Sequence, residues 1–245
     1  MCDERPTTDD GRYLYSVIGH RSSVFFLMQS SDSLLRVAGV ILAGGKSRRM
    51  GRDKALLDFD GAPLIARVIA RVRNVCPEAI IVANDVDAYA RFGLPVVRDV
   101  YPGKGSLGGI FSGLHAAQHE YALAVACDLP FLNDALLRYL IALAPQADIV
   151  IPRAHAPTDA RRGRVTLPLQ PMHAIYSKRC LGPMRARLLA DDLRIINFFD
   201  AVRVRVVAPD EIARFDPQML SFLNVNTPED WNFAMSLLGT RTDDR

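Results

Sequence analysis

Short apolar segments alternate with amphipathic ones through the first part of the chain, and this alternation limits the possible folds more than any other feature. The apolar segments are rich in branched side chains, as buried strands are, and lie at residues 37–42, 79–83, 94–97, 122–126 and 148–152. Helices are predicted between them at residues 63–75, 108–119 and 134–144. Strands that alternate with helices are typical of a parallel sheet between two helical layers. We therefore predict a three-layer α/β/α domain with a mostly parallel central sheet.

The second half of the chain has a more mixed pattern. Two further strands are predicted at residues 172–176 and 203–207, and two helices at residues 177–189 and 228–238. The stretch 153–169 contains proline, glycine and several arginines, which predicts a long loop. No internal repeat or interdomain linker separates these segments, so we expect them to belong to one domain.

The predicted domain covers residues 37–238, with an extension before it and a tail after it. The extension, residues 1–36, is rich in serine and aspartate, and we expect it to be weakly ordered. Its apolar run at residues 23–28 does not indicate a signal peptide, because the run is short and acidic residues precede it. The tail comprises residues 239–245.

Composition excludes several classes of protein. Hydrophobic residues make up 49% of the chain and charged residues 23%, which is ordinary for a globular protein. A net charge of +3 without a clustered basic face gives no reason to expect nucleic acid as a partner. The four cysteines have no C-x-x-C spacing, so they predict neither zinc nor a redox pair, and no apolar run is long enough for a membrane helix. We expect a cytoplasmic protein, since unpaired thiols suit a reducing compartment.

A glycine-rich basic connection follows the first strand directly. Residues 42–54 read LAGGKSRRMGRDK and contain three glycines and five basic residues. Glycines let backbone N–H groups turn toward an anion, and Lys46, Arg48, Arg49 and Lys54 are candidates to neutralise a triphosphate. Open α/β sheets bind ligands at this end of their strands. The loop is not a Walker A loop, because the earlier glycine of that motif is absent. A solvated glycine-rich turn is the alternative on composition alone.

An acidic group is predicted at the same edge of the sheet. Asp128 follows strand 122–126 within the sequence Cys-Asp-Leu-Pro. Magnesium at a nucleotide is held by one or two carboxylates together with phosphate oxygens, so Asp128 is the candidate metal ligand. The alternative role, an N-cap for the following helix, suits Asn133 or Asp134 better.

Further polar residues follow other predicted strands. Asp99 precedes the glycine-rich segment 102–109, and Asn84 follows strand 79–83. From the residues alone, aspartate and asparagine at such positions commonly form turns. Residues 224–230 read NVNTPED, in which Thr227 is expected to cap the last helix.

Together these motifs resemble the molybdenum cofactor guanylyltransferases. The string LAGGKSRRMGRDKALL is similar to their signature over its whole length, and the Cys-Asp-Leu-Pro and NVNTPED segments resemble two further family motifs. The resemblance covers residues 37–238 and departs at Ser106, where proline is common. It implies a single Rossmann-like domain of the glycosyltransferase-A-like superfamily, also described as nucleotide-diphospho-sugar transferase-like. Cytidylyltransferase relatives usually have LAAG where this chain has LAGG, so the resemblance, through the second glycine, Gly45, favours guanine over cytosine.

The resemblance implies that GMP is transferred from GTP to the terminal phosphate of molybdopterin, with Mg²⁺ as cofactor and release of pyrophosphate. It assigns catalysis to Arg49, Lys54 and Asp128, with Asp128 also the metal ligand. The nucleotide-binding residues that it implies are Leu42, Ala43, Gly44, Gly45, Lys54, Asn84, Asp99, Gly105 and Asp128. It also implies that Asn224 and Asn226 bind the acceptor.

Two other functions stay open at the level of sequence. One is a CTP-dependent cytidylyltransferase that acts on molybdopterin or a sugar-type acceptor. The other is a non-catalytic nucleotide-binding protein that delivers the cofactor. Transient contact with cofactor-delivery proteins or molybdoenzyme clients is expected for the enzyme. The arginine-rich loop, with Arg153, Arg161, Arg162 and Arg164, either meets the pterin phosphate or is simply solvated.

Overall fold

A computed structural model describes residues 36–43, 53–155, 157 and 168–239. Its strands are β1 (Val37–Leu42), β2 (Glu78–Val82), β3 (Val96–Val97), β4 (Tyr121–Ala126), β5 (Ile149–Pro152), β6 (His173–Ser177) and β7 (Val204–Val207). The described residues form one seven-stranded sheet in the order β3-β2-β1-β4-β6-β5-β7. Only β6 in this sheet runs antiparallel to its neighbours, so the predicted mostly parallel sheet is confirmed.

The helices cover most of the segments predicted to be helical. They are α1 (Leu64–Val75), α2 (Val86–Ala90), α3 (Gly105–Ala116), α4 (Asp134–Leu143), α5 (Leu181–Leu189), α6 (Pro209–Ala213) and α7 (Pro228–Gly239). Short 3-10 turns lie at Lys54–Leu56, Ala144–Gln146, Lys178–Cys180, Ile195–Ala201 and Leu220–Phe222. No helix among the described residues is long and apolar enough to cross a membrane.

Two glycines show that helices cover both faces of the sheet. A Cβ at Gly39 in β1 would lie 2.1 Å from Cγ1 of Val72 in α1. A Cβ at Gly113 in α3 would lie 2.1 Å from Cγ1 of Val40, the next residue of β1. Because successive residues of a strand point to opposite faces, α1 and α3 lie on opposite sides of the sheet. The predicted three-layer arrangement is confirmed, and glycine lets each helix approach β1 closely.

The sheet brings several strand ends to one edge. Leu42 pairs with Val82 of β2 and with Ala126 of β4, so the carboxyl ends of three parallel strands lie side by side. Since β6 runs the other way, its first residue, His173, pairs with Val125 near the same edge. The segment before β6 therefore also reaches this edge.

An apolar cluster around Phe59 fixes the C-terminal segment beside this edge. Phe59 is fully buried and makes edge-to-face contacts with Trp231 of α7 and with Phe131, at ring separations of 5.1 and 6.3 Å. Val225 belongs to the same cluster, which also includes Leu64, Leu223 and Ala234. The cluster therefore packs the residues after Lys54 against the segment that leads into α7.

Several element boundaries differ from those predicted. Helix α3 begins at Gly105, three residues before the predicted start, with Gly105 at φ +63°. The segment predicted as helix at 177–189 begins with a 3-10 turn and becomes α5 only at Leu181. Helices α2 and α6 were not predicted, because five residues are too few to show a helical period.

Candidate active site

A cleft opens at the edge where β1, β2 and β4 end. Seven of the residues predicted to bind the nucleotide line this cleft: Leu42, Ala43, Lys54, Asn84, Asp99, Gly105 and Asp128. Residues not singled out from the sequence also line it, among them Asp53, Cys127 and Met172. Gly44, Gly45 and Arg49 lie outside the described residues, as do Arg161, Arg162 and Arg164.

Lys54 is the buried cation of the cleft, with 7% of its surface exposed. Its Nζ donates one hydrogen bond of 2.8 Å to Oδ2 of Asp128 and another of 2.8 Å to Oδ1 of Asn226. A buried charge is costly unless it is paired and hydrogen-bonded, and these two oxygens meet that need. Three segments that are distant in sequence therefore converge on one ammonium group.

Asp128 has one engaged and one unengaged carboxylate oxygen. Oδ2 accepts from Lys54, whereas Oδ1 is buried without a hydrogen-bond partner among the described residues. The backbone oxygen of Asp128 accepts from the N–H of Val225 at 3.0 Å, which holds the two segments together. Asn133, and not Asp128, caps α4, since its side chain accepts from the N–H of Leu136 at 3.0 Å. The predicted assignment of this cap to Asn133 or Asp134 is therefore confirmed, at Asn133.

The carboxylate of Asp128 fits a divalent cation. A buried carboxylate oxygen without a partner is unfavourable, and a cation would satisfy it. The described residues contain no group of three or more His, Cys, Asp or Glu side chains that could hold a metal. One or two carboxylates with substrate oxygens and water as the other ligands is the usual arrangement for Mg²⁺ at a nucleotide, and a cleft with few carboxylates is compatible with it.

Asp53, directly before Lys54, connects two walls of the cleft. Its Oδ1 caps the 3-10 turn by accepting from the N–H of Ala55 at 3.1 Å. Its Oδ2 accepts from the hydroxyl of Tyr89 in α2 at 2.6 Å. Burial and this hydrogen bond raise the pKa of Tyr89, so the hydroxyl keeps its proton. No local pattern predicts this pair, because Tyr89 lies 36 residues away on a helix of only five residues.

Asp99 both caps a loop and faces the cleft. Its Oδ1 accepts from the N–H of Tyr101 at 3.2 Å and from the hydroxyl of Ser112 at 2.8 Å. A Cβ at Gly108 would lie 3.1 Å from each carboxylate oxygen, so glycine lets α3 pack closely against Asp99. The loop-capping role is shown, and contact with a nucleotide stays a prediction for Asp99 and Asn84.

The two asparagines before α7 have different surroundings. Asn226 contacts Lys54, and its backbone N–H donates to Oδ2 of the buried Asp230 at 3.2 Å. Thr227 accepts from the N–H of Asp230 at 3.2 Å and so caps α7, as predicted. Asn224 instead donates to the backbone oxygen of Phe222 at 3.4 Å. Neither asparagine is among the described residues that line the cleft, and Asn226 is tied to it only through Lys54. Acceptor binding by either asparagine stays a prediction.

Cys127 lies beside Asp128 but is unsuited to act as a nucleophile. Burial, followed by the charge of Asp128, raises the pKa of its thiol, so the thiolate is disfavoured. No histidine is among the described residues that line the cleft. The cleft therefore suits chemistry that depends on charge and positioning rather than on a covalent intermediate.

A mostly parallel sheet with a lysine and an aspartate in contact at its carboxyl edge is the arrangement expected of an α/β nucleotidyltransferase, and the comparisons with known proteins identify this class. The sequence-family model of the MobA-like NTP transferase domain matches residues 39–205 of this chain. The chain belongs to this family of MobA-like NTP transferases.

Named relatives extend over most of the chain. The "Probable molybdenum cofactor guanylyltransferase" of Pelotomaculum thermopropionicum is 38% identical over 197 residues, which cover 80% of this chain and 91% of that protein. The "Molybdenum cofactor guanylyltransferase" of Desulfosudis oleivorans is 36% identical over 196 residues, which cover 79% of this chain and 92% of that protein.

Solved structures share the fold at lower identity. Molybdopterin-guanine dinucleotide biosynthesis protein A from Archaeoglobus fulgidus has a TM-score of 0.71 at 22% identity, covering 83% of this chain and 100% of that one. The 4-diphosphocytidyl-2C-methyl-D-erythritol synthase from Anaerococcus prevotii has a TM-score of 0.61 at 21% identity, covering 85% and 100%. A protein named for a cytidyl product thus shares this architecture, so the fold alone does not determine the base.

Proposed function

We propose that this protein transfers GMP from GTP to the terminal phosphate of molybdopterin, releasing pyrophosphate and forming the guanine dinucleotide form of the molybdenum cofactor. The contact between Lys54 and Asp128 at the carboxyl edge of the sheet carries the proposal, because it puts a cation and an acidic ligand where a nucleoside triphosphate would bind. The names of relatives that are 36% and 38% identical support guanine and molybdopterin as the substrates.

The reaction is an in-line displacement at the α-phosphorus of GTP. A bond forms between this phosphorus and an oxygen of the acceptor phosphate, while the bond to the β-phosphate oxygen breaks and pyrophosphate leaves. The phosphate monoester is already ionised at neutral pH, so the protein needs no general base. Catalysis then consists of positioning and charge neutralisation, as in other phosphoryl-type transfers.

Lys54 supplies positive charge for the departing pyrophosphate. An ammonium group has three N–H donors, and within the described part of the chain the bonds to Asp128 and Asn226 use two of them, which leaves one for a phosphate oxygen. Arg49 is proposed to assist from the glycine-rich loop. Asp128 would hold Mg²⁺ through its unengaged oxygen, and the ion when bound would neutralise phosphate charge and orient the reacting groups.

Guanine recognition is proposed for the other end of the cleft, where Asn84, Asp99 and Gly105 lie. Guanine presents N–H donors at N1 and N2, which a carboxylate such as Asp99 can accept. Cytosine lacks this pair of donors, so selectivity for GTP over CTP follows from this assignment. The proposal includes a cytoplasmic location, which suits the free thiols of the described cysteines.

The test is pyrophosphate release by the purified protein with molybdopterin and Mg²⁺, comparing GTP with CTP at equal concentrations. We expect release with GTP and much slower release with CTP. Faster release with CTP would show a cytidylyltransferase. Tight GTP binding without pyrophosphate release, with molybdopterin present, would instead favour a protein that only delivers the cofactor.

A further inference from the structure

We propose that the contact between Asp53 and Tyr89 is a positioning device, which holds Lys54 in the cleft and couples it to the wall that carries Asn84. This role depends on the proposed function only through the action of Lys54 on the nucleotide. It does not depend on the identity of the base or of the acceptor.

The contact joins two segments that have different tasks in the cleft. Asp53 is the N-cap of the turn that begins with Lys54, so the orientation of its carboxylate and the conformation of the turn are linked. Tyr89 lies in α2, which begins two residues after Asn84 and is capped by Asp85 through the N–H of Ala88 at 3.2 Å. One carboxylate therefore ties the lysine on one wall to the helix on the other.

The strength of the contact comes from burial and charge. Tyr89 is only 1% exposed, and a buried tyrosine hydroxyl needs a hydrogen-bond partner. At 2.6 Å, the bond from this hydroxyl to Asp53 has the short length typical of a hydroxyl that donates to a carboxylate. Asp53 is itself exposed, so the surrounding core does not fix its side chain. The fixed end of the contact is Tyr89, and Asp53 is the part that it restrains.

Asp53 has an alternative role as a second carboxylate for the divalent cation, because it lines the same cleft as Asp128. The observed hydrogen bonds favour positioning, since both of its carboxylate oxygens already accept, one from Ala55 and one from Tyr89. The two roles make different predictions for a variant that changes only the tyrosine.

The central variant is Tyr89→Phe, which removes the hydroxyl and leaves the Asp53 carboxylate unchanged. Tyr139→Phe is the matched control, because the hydroxyl of Tyr139 also donates to a carboxylate at 2.6 Å, that of Glu211, and neither residue lines the cleft. Asp53→Ser is a third variant, which keeps a capping oxygen for the turn but is too short to reach Tyr89.

The first measurement needs no substrate. Amide hydrogen exchange in the ligand-free protein reports on the turn at Lys54–Leu56, whose N–H groups include that of Ala55. We expect faster exchange there in Tyr89→Phe and in Asp53→Ser, and no change in Tyr139→Phe. Unchanged exchange in Tyr89→Phe would overturn the proposal, even if the protein acted on another nucleotide.

The second measurement is a double-mutant cycle on GTP affinity, by calorimetry with Mg²⁺. Losing this hydrogen bond is expected to weaken GTP binding about tenfold in Tyr89→Phe, and not in Tyr139→Phe. In a Lys54→Ala background, Tyr89→Phe should cause no further loss, because the tyrosine acts through the lysine. An equal loss in both backgrounds would contradict the proposal.

The remaining outcomes separate the two roles of Asp53. Suppose that Tyr89→Phe retains normal GTP affinity while Asp53→Asn raises the Mg²⁺ concentration needed for half-maximal activity. Asp53 would then be a metal ligand, and the positioning role would be wrong. If the unaltered protein binds CTP in preference to GTP, the proposed function fails in its choice of base, and the same cycle measured with CTP still tests the contact.

Discussion

Nζ of Lys54 lies 2.8 Å from Oδ2 of Asp128, although 74 positions separate the two residues in the chain. The contact joins the connection after β1 to the end of β4, and both side chains are largely buried. In a low-dielectric cleft such a pair needs further hydrogen bonds to be favourable, and Asn226 supplies one to the lysine. The oxygen of Asp128 that remains unengaged is then the natural place for a cation.

Replacing Lys54 should reduce activity strongly. Lys54→Met removes the charge but keeps much of the side-chain volume, and we expect kcat to fall by about 100-fold, the typical effect of losing one charge-stabilising group. Lys54→Arg should not restore full activity, because a planar guanidinium cannot reproduce the two bonds of the ammonium group. Steady-state rates of pyrophosphate release test this, and near-normal activity in Lys54→Met would remove the lysine from the mechanism.

Asn226 and Asn224 should differ in their effects. Asn226→Ala removes an acceptor from the buried lysine, so we expect kcat/KM for GTP to fall and the free energy of unfolding to fall by about 1 kcal/mol. Asn224→Ala is the control, because the side chain of Asn224 donates to a backbone oxygen at 3.4 Å in its own segment, that of Phe222. If both variants raised KM for molybdopterin alone and left the GTP parameters unchanged, acceptor binding would explain both asparagines.

Stability should fall with acidity because of His173. This residue is 1% exposed, packs on Phe222 at a ring separation of 4.8 Å, and has its pKa lowered by burial to about 4. An unfolded histidine titrates near 6.5, so between these two values the unfolded state binds a proton that the folded state does not. The free energy of unfolding therefore has its full value above about pH 7. It decreases as the pH falls toward 4, by about 3 kcal/mol in total from His173.

Urea unfolding at pH 7 and pH 5 measures this effect. His173→Leu removes the titrating group and should show a smaller decrease in the free energy of unfolding between the two pH values. An identical decrease in the variant and the parent protein would show that other groups cause the acid sensitivity.

Packing between α3 and β1 should not tolerate added volume. Gly113→Ala would put a Cβ 2.1 Å from Cγ1 of Val40 in the core, and overpacking of this kind costs about 1–3 kcal/mol. Gly182→Ala in α5 is the control for added volume, since no heavy atom of the described residues outside its own helical turn and its chain neighbours lies within 4 Å of the added Cβ. Alanine favours a helix, whereas a Cβ directly before Pro183 opposes it, so these two effects offset each other. Thermal unfolding should show a clearly lower Tm for Gly113→Ala and a much smaller change for Gly182→Ala.

The features that were predicted correctly are local in sequence. Strand β1, the position of Asp128 after β4 and the cap at Asn133 each follow from a few neighbouring residues, because periodicity and capping act over short distances. The direction of β6 could not be predicted, since a buried strand has the same apolar pattern whether it runs parallel or antiparallel to its neighbours.

The contacts within the cleft could not be predicted from the sequence, for a different reason. Asn226 reaches Lys54 across 172 positions, and Tyr89 reaches Asp53 from a helix of five residues. Such pairs form because the sheet order and the apolar cluster around Phe59 bring distant segments together. Nothing in the local pattern of either partner indicates the other.

The most direct test of the central claim is pyrophosphate release from GTP and molybdopterin by the Asp128 variants. Asp128→Asn keeps an oxygen that can accept from Lys54 but loses the charge that a cation needs, whereas Asp128→Ala loses both. We expect both variants to fold, as circular dichroism would report, and to lose turnover by about 100-fold or more. Turnover close to that of the parent protein in a folded Asp128→Ala variant would contradict the account.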